Sequence, residues 1–346
     1  MNTIPDDVFA ASLGYFLAPI AELMSDESVR EVMINGYDQI YVEQNGSLAL
    51  SEYRFEDPEQ LMAAVRNIAQ FVGIHLHAEV SRFDARLPEG HRVHVVLPPV
   101  SRVGISITIR KHTKSSFGLD ELVKLGSISE ESTQFLQAAM EREQNMVIAG
   151  GTGTGKTTFI NALSALIPNT DRIVTIEDAA ELQLHQEHVV SLETRAADRK
   201  GRGAVSIRDL LHSSLRMRPD RIIVGECRGG EALDLLQAMN TGHGGSMSTV
   251  HANSPVETLR RLETLALFSG EDIPLRFLRA QVASAINIVV QLQRLAGKRS
   301  VASIAEVQPL DSEGEYQIRE IYRYDYSLNT LARVAEADFE TRASHA

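Results

Sequence analysis

Residues 146–157 read Met-Val-Ile-Ala-Gly-Gly-Thr-Gly-Thr-Gly-Lys-Thr, an apolar run that breaks into glycines and ends on a Lys-Thr pair. Gly150 to Thr157 satisfy the pattern G-x-x-x-x-G-K-[ST] in full, and a helical pattern opens near Thr158. A buried strand, a glycine loop and a helix in that order make a cradle for a nucleoside triphosphate. Backbone N–H groups of Gly151, Thr152, Gly153, Thr154 and Gly155 can turn toward phosphate oxygens. Lys156 can reach the β- and γ-phosphates, and the Thr157 hydroxyl, with Thr158 next in the chain, can ligate Mg2+. The helix adds the positive end of its dipole. ATP with Mg2+ is the expected pairing, and the remaining question is what the triphosphate drives.

Downstream of the loop, apolar runs alternate with helical spacing. Strands are expected at 172–176, 221–224 and 246–250, and helices at 206–215, 231–239, 255–268 and 274–285. Such alternation builds a mainly parallel sheet covered on both faces, followed here by a β-rich stretch turning at Ser312-Glu313-Gly314. Upstream, Leu13, Phe16, Leu17, Ile20, Leu23 and Met24 share one helical face. Short strands at 31–34, 39–44, 48–55, 91–97 and 103–110 surround a helix at 58–72, which is an α+β pattern. Lys111 to Gly126 breaks the periodicity before Ser127 and Glu130, an expected capping pair. The expected division is an α+β domain over 1–112, a linker over 113–128 and an α/β ATPase domain over 129–346.

The 346 residues carry 34 Lys and Arg against 46 Asp and Glu, a net charge of −12 that weakens any reading based on broad attraction to nucleic acid or anionic lipid. Cys227 is the only cysteine, which excludes an intrachain disulfide and a cysteine zinc cluster and fits a reducing compartment. The apolar stretch around Leu13 to Leu17 is short and follows Asp6-Asp7, unlike a signal peptide or a membrane span. Cytoplasmic localisation is expected, with any membrane association made through partners.

In an open parallel sheet, ligands collect beyond the carboxyl ends of the strands. Three ends deliver polar residues: Glu177 and Asp178 after 173–176, Glu226 after 222–225, and His251 after 246–250. Glu226 stands where nucleotide hydrolases place the acid that serves Mg2+. Glu177 is expected to orient the attacking water, Asp178 to brace a loop, and His251 to sense the γ-phosphate or fasten the loop before Asn253. His243 is a further residue of that kind. Arg92, Arg110, Arg216, Arg218 and Arg228 are candidates for charge delivered to the reacting phosphate from outside the nucleotide's own domain, and a surface ion pair is the competing reading of each. Arg195 to Gly203 reads as a basic loop. His75, His77, His91 and His94 lack the acids or thiols that would complete a metal site.

The ordered set Gly150–Thr157, Arg172–Asp178, Arg216–Arg228 and Thr241-Gly-His through His251-Ala-Asn-Ser254 resembles the secretion ATPases of type II and type IV machines, and within them the CpaF/TadA group that assembles Flp-type, tight-adherence pili. Arg86 to Arg92, Pro98-Pro99 and Ser106 to Arg110 are similar to that group's first domain, so the resemblance runs from about residue 20 to 325. It implies a RecA-like P-loop NTPase domain behind the α+β domain. Lys156 and Thr157 then belong to the Walker A box, Glu177 to the aspartate box, Glu226 to the Walker B box and His251 to the histidine box. Arg92 and Arg110 match first-domain arginines that approach the nucleotide. The implied assembly is a homohexamer whose domain motion works on inner-membrane platform proteins during pilus assembly or secretion. The four-cysteine module of many type II and pilus extension ATPases is absent, and the first domain begins near the start of the sequence rather than after a long extension. A conjugative type IV secretion ATPase shares these boxes. A RecA-like nucleic-acid translocase is disfavoured by the acidic balance and by the lack of Trp, and a nucleotide-gated scaffold by the presence of both glutamates.

Overall fold

In the computed structural model, which describes residues 12–44, 46–112, 117–195, 197, 201–295 and 298–337, the chain divides into two compact units, Met1–Ser115 and Ser116–Ala346.

The first unit is a six-stranded antiparallel sheet, β1 (Val29–Asn35), β2 (Ile40–Gln44), β3 (Ser47–Leu50), β4 (Arg82–Arg86), β5 (Arg92–Val96) and β6 (Ser106–Arg110), in the order β3-β2-β1-β6-β5-β4. Strand alternation sends Val32, Ile34, Val93, Val95, Ile107 and Ile109 to one face, where they bury with Leu61, Val65 and Ile68 of the helix Pro58–Phe71. Each such side chain contributes about 1.5–3 kcal/mol on burial. Asp57 caps that helix by accepting from Gln60 N at 2.7 Å. Two readings need correction. The return strand stops at Leu50 rather than running to residue 55, and Phe55 lies beyond it, fully buried, with its N–H donating to Tyr37 O at 2.7 Å. Arg82–Arg86 is a strand that the pattern hides: only Phe83 and Ala85 carry its buried face, between charged neighbours.

The second unit holds a nine-stranded sheet in the order β15-β14-β13-β12-β7-β11-β10-β8-β9. Its strands are β7 (Met146–Gly150), β8 (Ile173–Glu177), β9 (Val189–Glu193), β10 (Arg221–Val224), β11 (Met247–Val250), β12 (Ile288–Leu295), β13 (Lys298–Gln308), β14 (Gln317–Asp325) and β15 (Thr330–Arg333). From β12 to β9 all pairings are parallel, and from β12 to β15 all are antiparallel, so the sheet is mixed, with the parallel part carrying the glycine loop. β7 is buried on both faces: Met146 and Ile148 join one core with Phe135, Leu136 and Phe159, while Val147 and Ala149 join another with Leu233, Leu236 and Leu262. That two-sided burial is why its sequence is continuously apolar rather than alternating. The helix Glu130–Glu141 is capped by Ser129, which accepts from Ser132 N, and not by the Ser127–Glu130 pair; Glu130 is the first helical residue, too close to reach back. β9, half-buried at the sheet edge, lies between the expected strand 172–176 and the expected helix 206–215, where no strand was expected. No helix among the described residues is long and apolar enough to cross a membrane.

Candidate nucleotide site

β7, β8, β10 and β11 run parallel, so their carboxyl ends open on one edge of the sheet. At the end of β7, a Cβ on Gly150 would lie 2.6 Å from Thr154 Oγ1 and 2.8 Å from Leu292 O, so a side chain there is excluded by the loop itself and by β12. Gly153 and Gly155 take φ +71° and +96°, the left-handed region that favours glycine. Gly155 precedes the helix Lys156–Ser164, whose first N–H groups therefore face the loop. Thr154 Oγ1 donates to Gly151 O at 2.9 Å and braces the turn. Lys156 is buried, and its Nζ donates to Gly150 O (3.0 Å) and Gly151 O (3.1 Å). Burial holds its pKa below the usual lysine value, with Arg228 adding to the effect and Glu226 opposing it.

Next to Lys156 stands a chain of polar and charged groups drawn from three strand ends. His251, just past β11, places Nδ1 3.4 Å from Lys156 Nζ and Nε2 2.6 Å from Glu226 Oε1. Burial lowers the His251 pKa, and Lys156 and Arg228 reinforce the shift against Glu226. Burial and the neighbouring cations favour a neutral imidazole whose Nδ1 lone pair can accept from the lysine, while Nε2 makes a close contact with Glu226 Oε1 that is not aligned as a hydrogen bond. Glu226 follows β10, and Arg228 Nε donates to its Oε2 at 2.7 Å while Nη2 contacts the same oxygen. Arg228 Nη1 lies 3.5 Å from Asp178 Oδ2, past the end of β8.

Glu177 is buried at the last position of β8, and its Oε1 accepts from Glu181 N (2.9 Å) and Leu182 N (3.0 Å). The bracing of that loop, expected of Asp178, thus belongs to Glu177. The brace carries Glu181 to the helix side of the loop, where Thr157 Oγ1 donates to its Oε2 at 3.4 Å. Glu181 was not singled out in the sequence; an acid four residues past a strand end carries no signal of its own.

Thr157 and Glu181 offer hard oxygens beside the phosphate loop, and among the described residues no three His, Cys, Asp or Glu gather into a metal cage. That donor set fits Mg2+, which takes one or two protein oxygens and completes its shell with phosphate and water.

Gly151, Thr152, Gly153, Thr154, Gly155, Lys156, Thr157, Thr158, Glu177, Glu226 and His251 thus lie within one unit. Arg92 and Arg110 belong to the other unit, where they are cross-strand neighbours on β5 and β6. Arg216 and Arg218 are exposed, and Arg228 pairs with Glu226 of its own chain. His243 fastens a loop through Nδ1, 3.1 Å from Ala238 O. His94 pairs with Asp84, His91 Nδ1 accepts from His112 N, and His77 Nδ1 accepts from Glu79 N, so these three histidines take separate protein partners. In the basic loop, Arg195 Nε donates to Gly203 O at 2.6 Å; Arg199 and Lys200 fall outside the described residues.

A phosphate loop flanked by acidic and histidine strand ends on a mixed α/β sheet defines a P-loop nucleotide-binding class, and residues 16–330 match the type II/IV secretion system protein family, to which this chain belongs. It is 32% identical to the type IV secretion system protein VirB11 of Bartonella henselae, over 88% of this chain and 95% of that one. It is 33% identical to the conjugal transfer protein TrbB of Rhizobium radiobacter, over 82% and 85%. The crystal structure of the Legionella pneumophila ATPase DotB shares the fold, with a TM-score of 0.59 at 21% identity over 88% of this chain and 82% of DotB.

Proposed function

We propose that the chain is an ATP hydrolase that works as a homohexamer at the cytoplasmic face of the inner membrane, moving one unit against the other to drive pilus assembly or secretion through platform proteins. The observation that carries the reading is the continuous chain Lys156–His251–Glu226–Arg228 beside a complete phosphate loop. The loop N–H groups bind the phosphates, and Lys156 adds positive charge at the β/γ bond. Glu226 orients the attacking water and accepts its proton, taking over the role expected of Glu177, whose Oε1 is committed to the following loop, and His251 packs against that carboxylate. Glu177 shapes the loop that brings Glu181 to Thr157. Thr157, with Glu226 and Glu181, would hold Mg2+, which would spread the phosphate charge when bound. Arg92 and Arg110 supply further positive charge to the reacting phosphate.

The boxes quoted from the sequence support placement near the CpaF/TadA pilus ATPases. A conjugative type IV secretion role is the second reading, favoured by the identity to VirB11 and TrbB over most of the chain. The two share a motor and differ in its customer, which co-purification with the products of neighbouring genes separates. No direct contact with nucleic acid is expected of either.

Steady-state ATPase assays test the enzymatic core. Lys156→Ala is expected to abolish nucleotide binding or turnover, whereas Glu226→Gln retains ATP and lowers kcat by about 10²-fold or more. Equal rates for wild type and Glu226→Gln would remove Glu226 from the mechanism.

A further inference from the structure

Arg228 lies 63% exposed by side chain, yet it grips a carboxylate that is only 16% exposed. Both Nε and Nη2 meet one oxygen, Oε2, which leaves Oε1 turned toward His251. The other arm of the guanidinium reaches Asp178 on the neighbouring strand end. The main chain from which Arg228 projects is itself held, since Arg228 N and Gly229 N both donate to Glu231 Oε1, at 2.7 and 2.8 Å. Gly230 then packs so close to Ser269 that an added Cβ would lie 2.6 Å from its Cα. A planar, anchored fork is well suited to aiming a flexible glutamate.

We propose that Arg228 is the positioning residue of Glu226: it fixes the carboxylate rotamer so that one oxygen addresses the water, and through Asp178 it ties the end of β10 to the end of β8. The inference rests on the ATPase reading above and assigns Arg228 to its own subunit's site rather than to a neighbour's.

The test uses the full chain, with steady-state ATP turnover, binding of a fluorescent ATP analogue and thermal melting measured side by side. Arg228→Gln is expected to lower kcat by roughly 10–100-fold, because small misplacements of a catalytic group have effects of that size, with analogue affinity within about two-fold and an unchanged melting temperature. Arg228→Lys, which cannot make the forked contact, recovers only part of the rate. Asp178→Asn lowers kcat less than Arg228→Gln does. If Arg228 acts through Glu226, adding Arg228→Gln to Glu226→Gln changes the residual rate by less than about two-fold. The proposal is overturned by a kcat for Arg228→Gln close to wild type, by a loss of affinity large enough to explain the rate, or by multiplicative effects in the double variant. A wild-type chain that does not hydrolyse ATP overturns the functional reading itself, which is a different result from equal turnover in wild type and Arg228→Gln.

Discussion

Arg92 and Arg110 stand directly opposite each other across the β5–β6 ladder, and Arg110 continues the row to Glu31 on β1, 3.9 Å away through its Nε. Like charges placed opposite each other on a sheet oppose folding slightly. Arg92→Ala and Arg110→Ala are each expected to leave the melting behaviour within about 0.5 kcal/mol of wild type while lowering ATP turnover in the assembled protein. Full turnover in both variants would move the proposed charge elsewhere.

His251 joins two groups of opposite charge, Lys156 and Glu226. His251→Ala is expected to lower kcat by about ten-fold or more, the range for losing a group that orients a general base, with analogue binding kept because the phosphate loop is intact. A wild-type kcat would leave His251 as a loop fastener only.

Glu177 packs against Gly225 so tightly that an added Cβ there would fall 2.9 Å from Glu177 Cγ. Glu177 is buried and braces the following loop, so it cannot swing aside without releasing that loop. Gly225→Ala is expected to destabilise the protein by about 1–3 kcal/mol through overpacking, and to weaken Mg2+-dependent nucleotide binding as Glu181 shifts from Thr157. Denaturant melts and analogue titrations with and without Mg2+ measure both effects. An unchanged melt would show that the loop yields freely.

Burial pushes the Cys227 thiol from its ordinary value of 9.0 up to about 12, and only a weak bond from Ser248 Oγ opposes the shift. The native thiol thus keeps its proton where the unfolded chain has lost it. Its contribution to stability is full below pH 9 and falls as pH rises from there toward 12. Native Cys227 should resist alkylation at pH 8 until denaturant is added, and Cys227→Ala should show a shallower loss of stability between pH 8.5 and 10. Rapid labelling of the folded protein would contradict the burial.

Elements that bury both faces were plain in the sequence. Met146–Gly150 and Arg221–Val224 read as strands because unbroken apolar runs between turn signals have few other solutions. β4 and β9 were not legible for the opposite reason: Arg82–Arg86 shows only two apolar residues, and Val189–Glu193 sits half-buried at an edge where the pattern relaxes. The return strand was overextended because Phe55 continues an apolar rhythm although the strand ends at Leu50. Glu177, Glu226 and His251 could be singled out because a parallel sheet presents its strand ends together, but their partners could not.

The chain's order of residues alone determined a glycine loop between a buried strand and a helix, and with it a phosphate site, since those constraints are local and act within about a dozen residues. Tertiary structure decided which strand ends become neighbours. Only the order β7-β11-β10-β8 brings His251 against Glu226, and only the turn after β10 sets Arg228 between Glu226 and Asp178, 50 residues away in sequence. Contacts across such separations depend on sheet order and packing, which no local run of residues encodes.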